Sequence, residues 1–316
     1  MSIYKGIKIL TGNSNRDLVR DIAAKLELDL AKCDVTTFSD GEINVEINET
    51  VRGADVFIIQ PTHAPVNDNL MELLIMIDAC HRASAGRINA VIPYYGYARQ
   101  DRKTRPREPI TAKLVANLIE KAGADRVVLM DLHAGQIQGY FDVPVDHLSA
   151  IRILARYFKD KVDENSVVVS PDLGGVTRAR EFANYLNLPI AIIEKRRPKP
   201  NVSEVMNIIG DIEGKTCILV DDIIDTAGTI CQAAKKLEEL GATKVYGAAS
   251  HGVLSGPAIE RIMDSCLQEF VITDSIPLPD LPQVREKIKV VSVAELFARA
   301  IRIIHNNDSI ATIFDK

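Results

Sequence analysis

The chain has 316 residues, 47% of them hydrophobic, 26% charged and 5% aromatic, with no tryptophan, which is the composition of a folded globular protein and not of a disordered or collagenous one. A formal net charge of −5 argues against nucleic acid as the main partner, because duplex binding rests on many Lys and Arg side chains displacing counterions. No stretch approaches the ~18 consecutive apolar residues of a spanning helix, and MSIYKGIKIL lacks the basic flank and apolar run of a signal peptide, so neither membrane insertion nor secretion is expected.

Short Val- and Ile-rich runs alternate with segments of helical period, the pattern of an α/β protein with mainly parallel sheets. In chain order the expected strands are Ile7 to Leu10, Asp55 to Gln60, Ile88 to Pro93, Arg126 to Asp131, Ser166 to Ser170, Ile190 to Glu194, Thr216 to Val220 and Lys244 to Ser250. Asn67 to Ser84, Ile110 to Ala122, Gly174 to Leu186 and Thr229 to Leu240 place apolar residues three and four apart, as helices covering both faces of a sheet should. IPLPDLP, from Ile276 to Pro282, cannot be a helix interior, because three prolines remove donors and fix φ. Five widely spaced cysteines, Cys33, Cys80, Cys217, Cys231 and Cys266, suit reduced, buried thiols and hence a cytoplasmic location.

The segment from Ile110 can be laid on that from Gly228 at a constant offset of 118, which brings Gly123, Ala124, Val127 and His133 onto Gly241, Ala242, Val245 and His251. Each copy reads helix, Gly-Ala turn, strand, His, and this points to two domains of one fold related by duplication. Coincidence is the alternative, since Gly follows many helices. The expected domains are 1–147 and 148–316.

Two adjacent carboxylates, Asp221 and Asp222, end the run CILV and lead into Asp225, Thr226, Ala227, Gly228 and Thr229 at a helix start. Small residues and hydroxyls there let backbone N–H groups converge on a phosphate, with the helix dipole adding to the attraction. A capped turn would have the same composition, but paired carboxylates beside an anion cradle suit the hydroxyls of a sugar phosphate. Arg99, Arg102, Lys103, Arg105 and Arg107 stand against the single Asp101, a net charge of +4, which suits polyphosphate or, alternatively, a solvated loop. Lys195, Arg196, Arg197 and Lys199, with no acid among them, suit either a lid that closes on an anion or a basic surface loop. His133 stands at an expected strand end, where a lone His is more often structural than a metal ligand, and Asp172, at another, offers an oxygen partner. Preferences of Mg²⁺ alone would favour Asp172.

VDDIIDTAGT resembles the ribose-phosphate signature of the phosphoribosyltransferase fold. The likeness to the ribose-phosphate diphosphokinase family extends through FSDGE, NDNLMELLIMIDA, YYGYARQDRK, DLHAGQIQGYF, SPDLGG and KRRP in that family's order. The resemblance implies two phosphoribosyltransferase-like domains and transfer of the diphosphoryl group of ATP to the 1-hydroxyl of ribose 5-phosphate, with Mg²⁺ as cofactor. It implies ATP contacts from Phe38, Asp40, Glu42, Arg99, Gln100 and His133, with the FSDGE hairpin reaching a neighbouring subunit; as bare sequence FSDGE is a turn between strands. Metal ligation by His133 and Asp172, ribose 5-phosphate binding by Asp221 to Asp222 and Asp225 to Thr229, and catalysis by Lys195 and Arg197 on a loop follow in the same way. A homohexamer, and regulation by ADP or phosphate at Arg52, Ser84, Arg105, Arg107 and Ser309, are further implications, although Ala311 replaces a hydroxyl usual in the segment Ser309 to Phe314. The rivals are a phosphoribosyltransferase, which would not need the ATP motifs, and a noncatalytic relative, which should have lost the Lys195 loop.

Overall fold

A computed structural model of the chain describes residues 4–196 and 205–313. Two compact units are present, Met1–Ser149 together with Ser292–Lys316, and Ala150–Val291.

Unit 1 runs β1 (Ile7–Thr11), α1 (Arg16–Leu26), β2 (Cys33–Thr37), β3 (Ile43–Ile47), β4 (Asp55–Ile59), α2 (Val66–Arg82), β5 (Arg87–Ile92), α3 (Thr111–Ala122), β6 (Arg126–Met130) and β7 (Val145–Leu148). Its main sheet has the order β1-β4-β5-β6-β7 with every pairing parallel, and β2 and β3 form a separate antiparallel hairpin. Unit 2 runs α4 (Ile151–Phe158), β8 (Ser166–Ser170), α5 (Val176–Leu186), β9 (Ile190–Arg196), β10 (Val205–Ile209), β11 (Thr216–Ile224), α6 (Gly228–Glu239), β12 (Lys244–Gly252), α7 (Ala258–Asp264), β13 (Phe270–Thr273), the short α8 (Pro282–Arg285) and β14 (Ile288–Val291). Its order is β10-β9-β8-β11-β12-β13-β14, parallel except for β10 against β9. β4 and β8 are buried at every residue, which is why their central residues, Val56 to Ile59 and Val167 to Val169, are all apolar: helices cover both faces of these sheets.

All eight expected strands and all four expected helices form, with ends shifted by a few residues. IPLPDLP is a connection whose last proline opens α8 at its first turn, where the missing N–H costs nothing.

The two sheets share one topology. The first strand of each, β1 and β8, has a later strand on either side: β4 and a parallel bridge from Leu30 flank β1, and β11 and β9 flank β8. β4, β5, β6 and β7 therefore correspond to β11, β12, β13 and β14. This corrects the alignment at offset 118, which lays α3 and β6 on α6 and β12. By position α6 and β12 answer to α2 and β5, and His251 is not the counterpart of His133. The echo arises because a left-handed Gly (φ +117 at Gly123, +92 at Gly241) ends the helix before a buried strand in both places.

The expected limits of the second domain are also corrected. After β14 the chain forms α9 (Ala294–Asn306), which packs on α1 inside unit 1. Its buried face is Phe297, Ala298, Ile301 and Ile304. After β7, α4 packs on α5 inside unit 2, where Phe158 meets Phe182 and Tyr246. Since α1 and α5 are equivalent, each unit receives its last helix from the strand that ends the other. The span 148–316 is thereby reduced to Ala150–Val291.

Candidate functional site

In unit 2, β8 is the strand at which connections leave to either side, and ligands of open α/β sheets bind in the crevice beyond the carboxyl ends of such strands. β11 pairs with β8 only as far as Leu219, yet continues against β12 to Ile224. Asp221 and Asp222 therefore project from β11 where its β8-side neighbour has ended. On that side Pro171 to Gly175 turns into α5. The Asp172 Oδ1 accepts the Gly175 N–H at 2.8 Å, while the Ser170 hydroxyl donates to the Asp172 carbonyl at 2.7 Å. A Cβ on Gly175 would lie 2.9 Å from Ser170 Oγ, so a larger residue there would displace the serine hydroxyl from its bond to the Asp172 carbonyl.

Arg178, two residues into α5, places Nη1 3.4 Å from Asp221 Oδ1 and 3.3 Å from Asp222 Oδ1. The Asp222 N–H donates to Asp221 Oδ1 at 2.8 Å. Burial and the neighbouring Asp222 nevertheless hold the Asp221 carboxyl well above the ordinary carboxylate range.

From Ile224 the chain turns through Asp225, Thr226 and Ala227 into α6. Ala227 is buried with φ +58, and no side chain caps the helix. The first bond of the helix runs from the Cys231 N–H to the Ala227 carbonyl at 3.1 Å. The N–H groups of Gly228, Thr229 and Ile230 precede that bond and have no intrahelical acceptor. Arg261 of α7 donates from Nη1 to the Thr226 carbonyl at 2.9 Å. Thr226, Gly228 and Thr229 also border a cavity of about 1120 Å³ between α6 and α7.

Unit 1 holds the other expected residues. Phe38, at the turn of the β2–β3 hairpin, is 54% exposed. Its N–H donates to the Glu42 carbonyl at 2.8 Å, and Asp40 Oδ1 accepts the Glu42 N–H at 3.1 Å. Arg99 and Gln100 precede α3, and Gln100 Oε1 accepts the Thr111 hydroxyl at 2.5 Å. In the basic loop the lone acid, Asp101, is buried and accepts from Gln136 Nε2 at 3.1 Å, so the cations face outward. Glu108 ties the loop back: it accepts the Thr104 hydroxyl and N–H and the Arg105 N–H, bonds that lower its pKa. His133 is exposed after β6. The preceding Leu132 N–H donates to His147 Nε2 at 3.0 Å, and burial lowers the His147 pKa, so the ring stays a neutral acceptor.

Arg52 and Ser84 come together, since Arg52 bridges to Ala85 and the Gly53 N–H donates to the Ser84 carbonyl at 2.9 Å. Arg105 and Arg107 lie on the separate exposed loop before α3, and Ser309 follows α9. Lys195 sits on β9 opposite Met206. Arg197, like Phe314, lies outside the described residues.

Arg178, Arg261 and His147 were not legible from local sequence. Each reaches the site from an element remote in the chain and belongs to no recognisable local pattern.

A parallel α/β unit with paired carboxylates on the strand, an uncapped helix entry beyond them and its topology repeated once in the chain defines a phosphoribosyltransferase-like protein. Residues 7–123 match the N-terminal domain of ribose phosphate pyrophosphokinase, and residues 196–315 match the phosphoribosyl synthetase-associated domain. A ribose-phosphate pyrophosphokinase of Caldanaerobacter subterraneus subsp. tengcongensis is 65% identical over 98% of both chains, and one of Clostridium perfringens is 63% identical with the same coverage. The crystal structure of phosphoribosylpyrophosphate synthetase from Mycobacterium smegmatis superposes with a TM-score of 0.89 at 45% identity, covering 96% of this chain and 100% of that one. The chain belongs to the ribose-phosphate pyrophosphokinase family of enzymes.

Proposed function

We propose that this enzyme transfers the diphosphoryl group of ATP to the 1-hydroxyl of ribose 5-phosphate, giving 5-phospho-α-D-ribose 1-diphosphate and AMP for nucleotide biosynthesis. The observation that carries the assignment of the sugar site is the juxtaposition of Asp221 and Asp222 with the uncapped amides of Gly228 and Thr229. The amides and the α6 dipole receive the 5-phosphate, and the carboxylates accept the ribose hydroxyls. Arg178 keeps those two like charges together until the sugar arrives.

The exposed Phe38 ring offers a face for adenine. Arg99 and the outward cations of the basic loop suit the triphosphate, because a guanidinium grips phosphate oxygens in pairs. As the 1-hydroxyl oxygen bonds to the β-phosphorus, the bond from that phosphorus to the oxygen of the α-phosphate breaks and AMP leaves. Lys195 and Arg197 take up charge on the transferring group. Phosphoryl transfer is mainly positioning and charge neutralisation, so no protein nucleophile is required.

Mg²⁺ would be held by Asp172 and His133 together with nucleotide phosphates and water, and it would neutralise phosphate charge and align the leaving group. Asp172 suits this role: it is exposed, and its Oδ1 is already oriented by Gly175. Among the described residues no three His, Cys, Asp or Glu side chains converge on one point, and an ion carried largely by substrate oxygens does not need such a cage.

Self-association into a homohexamer fits Ile110, at the N-cap of α3, and Leu114 and Leu118 on that helix, which expose 36%, 55% and 41% of their surface at four-residue spacing. Sedimentation would test it. ADP and phosphate remain the effectors proposed for Arg52, Ser84, Arg105, Arg107 and Ser309. No described helix is long and apolar enough to cross a membrane, and a cytoplasmic location is proposed. AMP release from ATP that depends on ribose 5-phosphate tests the reaction; a phosphoribosyltransferase or a noncatalytic relative would give none.

A further inference from the structure

The place in unit 1 that corresponds to the ribose-phosphate crevice of unit 2 is filled by the chain itself. The turn from Gly12 to Asn15 leads from β1 into α1, as Pro171 to Gly175 leads from β8 into α5. Gln60 follows β4 where β11 carries its aspartates. Into this position α2 sends Glu72, which is 6% exposed. Its Oε2 accepts the Asn13 N–H at 2.8 Å and Gln60 Nε2 at 2.7 Å, and its Oε1 accepts Asn13 Nδ2 at 2.7 Å. Gln60, fully buried, accepts the Ser14 hydroxyl at 2.7 Å through Oε1. A Cβ on Gly12 would stand 2.5 Å from Glu72 Oε2 and 2.6 Å from Gln60 Oε1, so the backbone passes directly over the carboxylate.

The β1–α1 turn is the equivalent of the β8–α5 turn, and here a side chain of the chain's own α2 accepts its Asn13 N–H. Asn13 then makes a second contact: Nδ2 also donates to the Val35 carbonyl at 3.1 Å, on β2 three residues before Phe38. The Glu72 carboxylate fixes the Asn13 side chain, and Asn13 fixes the strand that leads to the hairpin tip.

We infer that Glu72 and Asn13 are positioning residues which set the Phe38 hairpin for the adenine of ATP. This rests on the proposed role of Phe38. Tethered hairpins bind more tightly because less ordering remains to be done when the ligand arrives.

Asn13→Ala removes the tether to Val35 and leaves the Gln60–Glu72 bond and the Asn13 backbone donor in place. Glu72→Gln converts one accepting position into a donor facing another donor and loosens the tether from the other side. For Asn13→Ala the expected result is a KM for ATP raised about five- to tenfold, with kcat at saturating ATP within about twofold of wild type. The KM for ribose 5-phosphate stays unchanged, and the melting temperature falls only by the few degrees expected for one lost donor to the buried Glu72 carboxylate. Phe38→Ala is measured in parallel. If Phe38→Ala raises the KM for ATP and Asn13→Ala does not, the positioning role is wrong and the adenine reading survives; if Phe38→Ala leaves that KM unchanged, both fall. A joint loss of kcat and of both substrate affinities in Asn13→Ala, with a melting temperature lowered beyond those few degrees, overturns the inference in favour of a purely structural network.

Discussion

His305 Nδ1 lies 2.9 Å from Asp55 Oδ2, joining the end of α9 to the start of β4 across 250 residues of sequence. Asp55 is fully buried and also receives Arg87 Nε at 2.8 Å, Arg87 Nη2 at 2.6 Å and Asn89 Nδ2 at 2.8 Å. Arg87 reaches on to the Ile304 carbonyl at 3.0 Å and lies over the Tyr4 ring. Deleting one partner of a buried ion pair leaves the other charge uncompensated. Asp55→Ala should therefore cost about 3–5 kcal/mol of stability. His305→Gln should cost only about 1 kcal/mol, because the ion pair survives. Urea denaturation followed by circular dichroism measures both, and equal losses would show that the latch resides in His305.

That latch shows where sequence reading stops. Strands such as β4 and β8 are legible because burial on both faces leaves only apolar residues between their polar ends, Val56 to Ile59 and Val167 to Val169. Asp221 to Thr229 is legible because the strand end, turn and helix entry are contiguous. The amphipathic pattern of α9 announces a buried face but not the surface it covers, and that surface is α1 and not the sheet its own chain has just left. Glu72, His147, Arg178 and Arg261 are unremarkable in sequence for the same reason: each acts on a segment with which it shares no local pattern. The offset of 118 misleads because a helix, a left-handed Gly and a buried strand form a general solution to αβ connection, repeated along one sheet as readily as between two.

Burial lowers the pKa of His147 and of His63 below the ordinary 6.5. The unfolded chain thus takes up protons at a pH where the folded rings stay neutral, and stability falls as pH drops through about 6.5. Gln at position 147 offers a carbonyl to the Leu132 N–H without titrating. His147→Gln should lose less stability than wild type on going from about pH 7.5 to about pH 5.5. Parallel melting curves for the two proteins across that range would contradict the assignment of His147 as a neutral acceptor.

Asp221 shows the opposite linkage. With its folded-state pKa raised above 3.8, the folded protein binds the proton more tightly than the unfolded chain, so holding Asp221 ionised at neutral pH costs stability. Asp221→Asn relieves that cost. The variant should be more stable than wild type by about 1 kcal/mol near neutrality, with the advantage shrinking as pH falls below the raised pKa of Asp221 toward 3.8, because the folded carboxyl is then protonated. Formation of the diphosphate ester should fall sharply, because an amide oxygen is a weaker acceptor for the sugar hydroxyls. Denaturation at several pH values together with AMP release would check both halves, and a destabilised Asp221→Asn would place the residue in the scaffold.

Lys195 differs from the residues that bind ground states. Its backbone is fixed in β9 opposite Met206, immediately before the stretch that carries Arg196 and Arg197, and no acid stands among these cations in the sequence. A cation that meets charge developing on the transferring diphosphoryl group gains most of its interaction in the transition state. Lys195→Ala should then lower kcat by about 10²–10³-fold, the scale on which single charge-stabilising groups act. The KM values of ATP and ribose 5-phosphate should stay within about threefold of wild type, since uniform binding is untouched. A raised KM with normal kcat would make Lys195 a substrate-binding residue, and near-normal values of both would remove it from the reaction altogether.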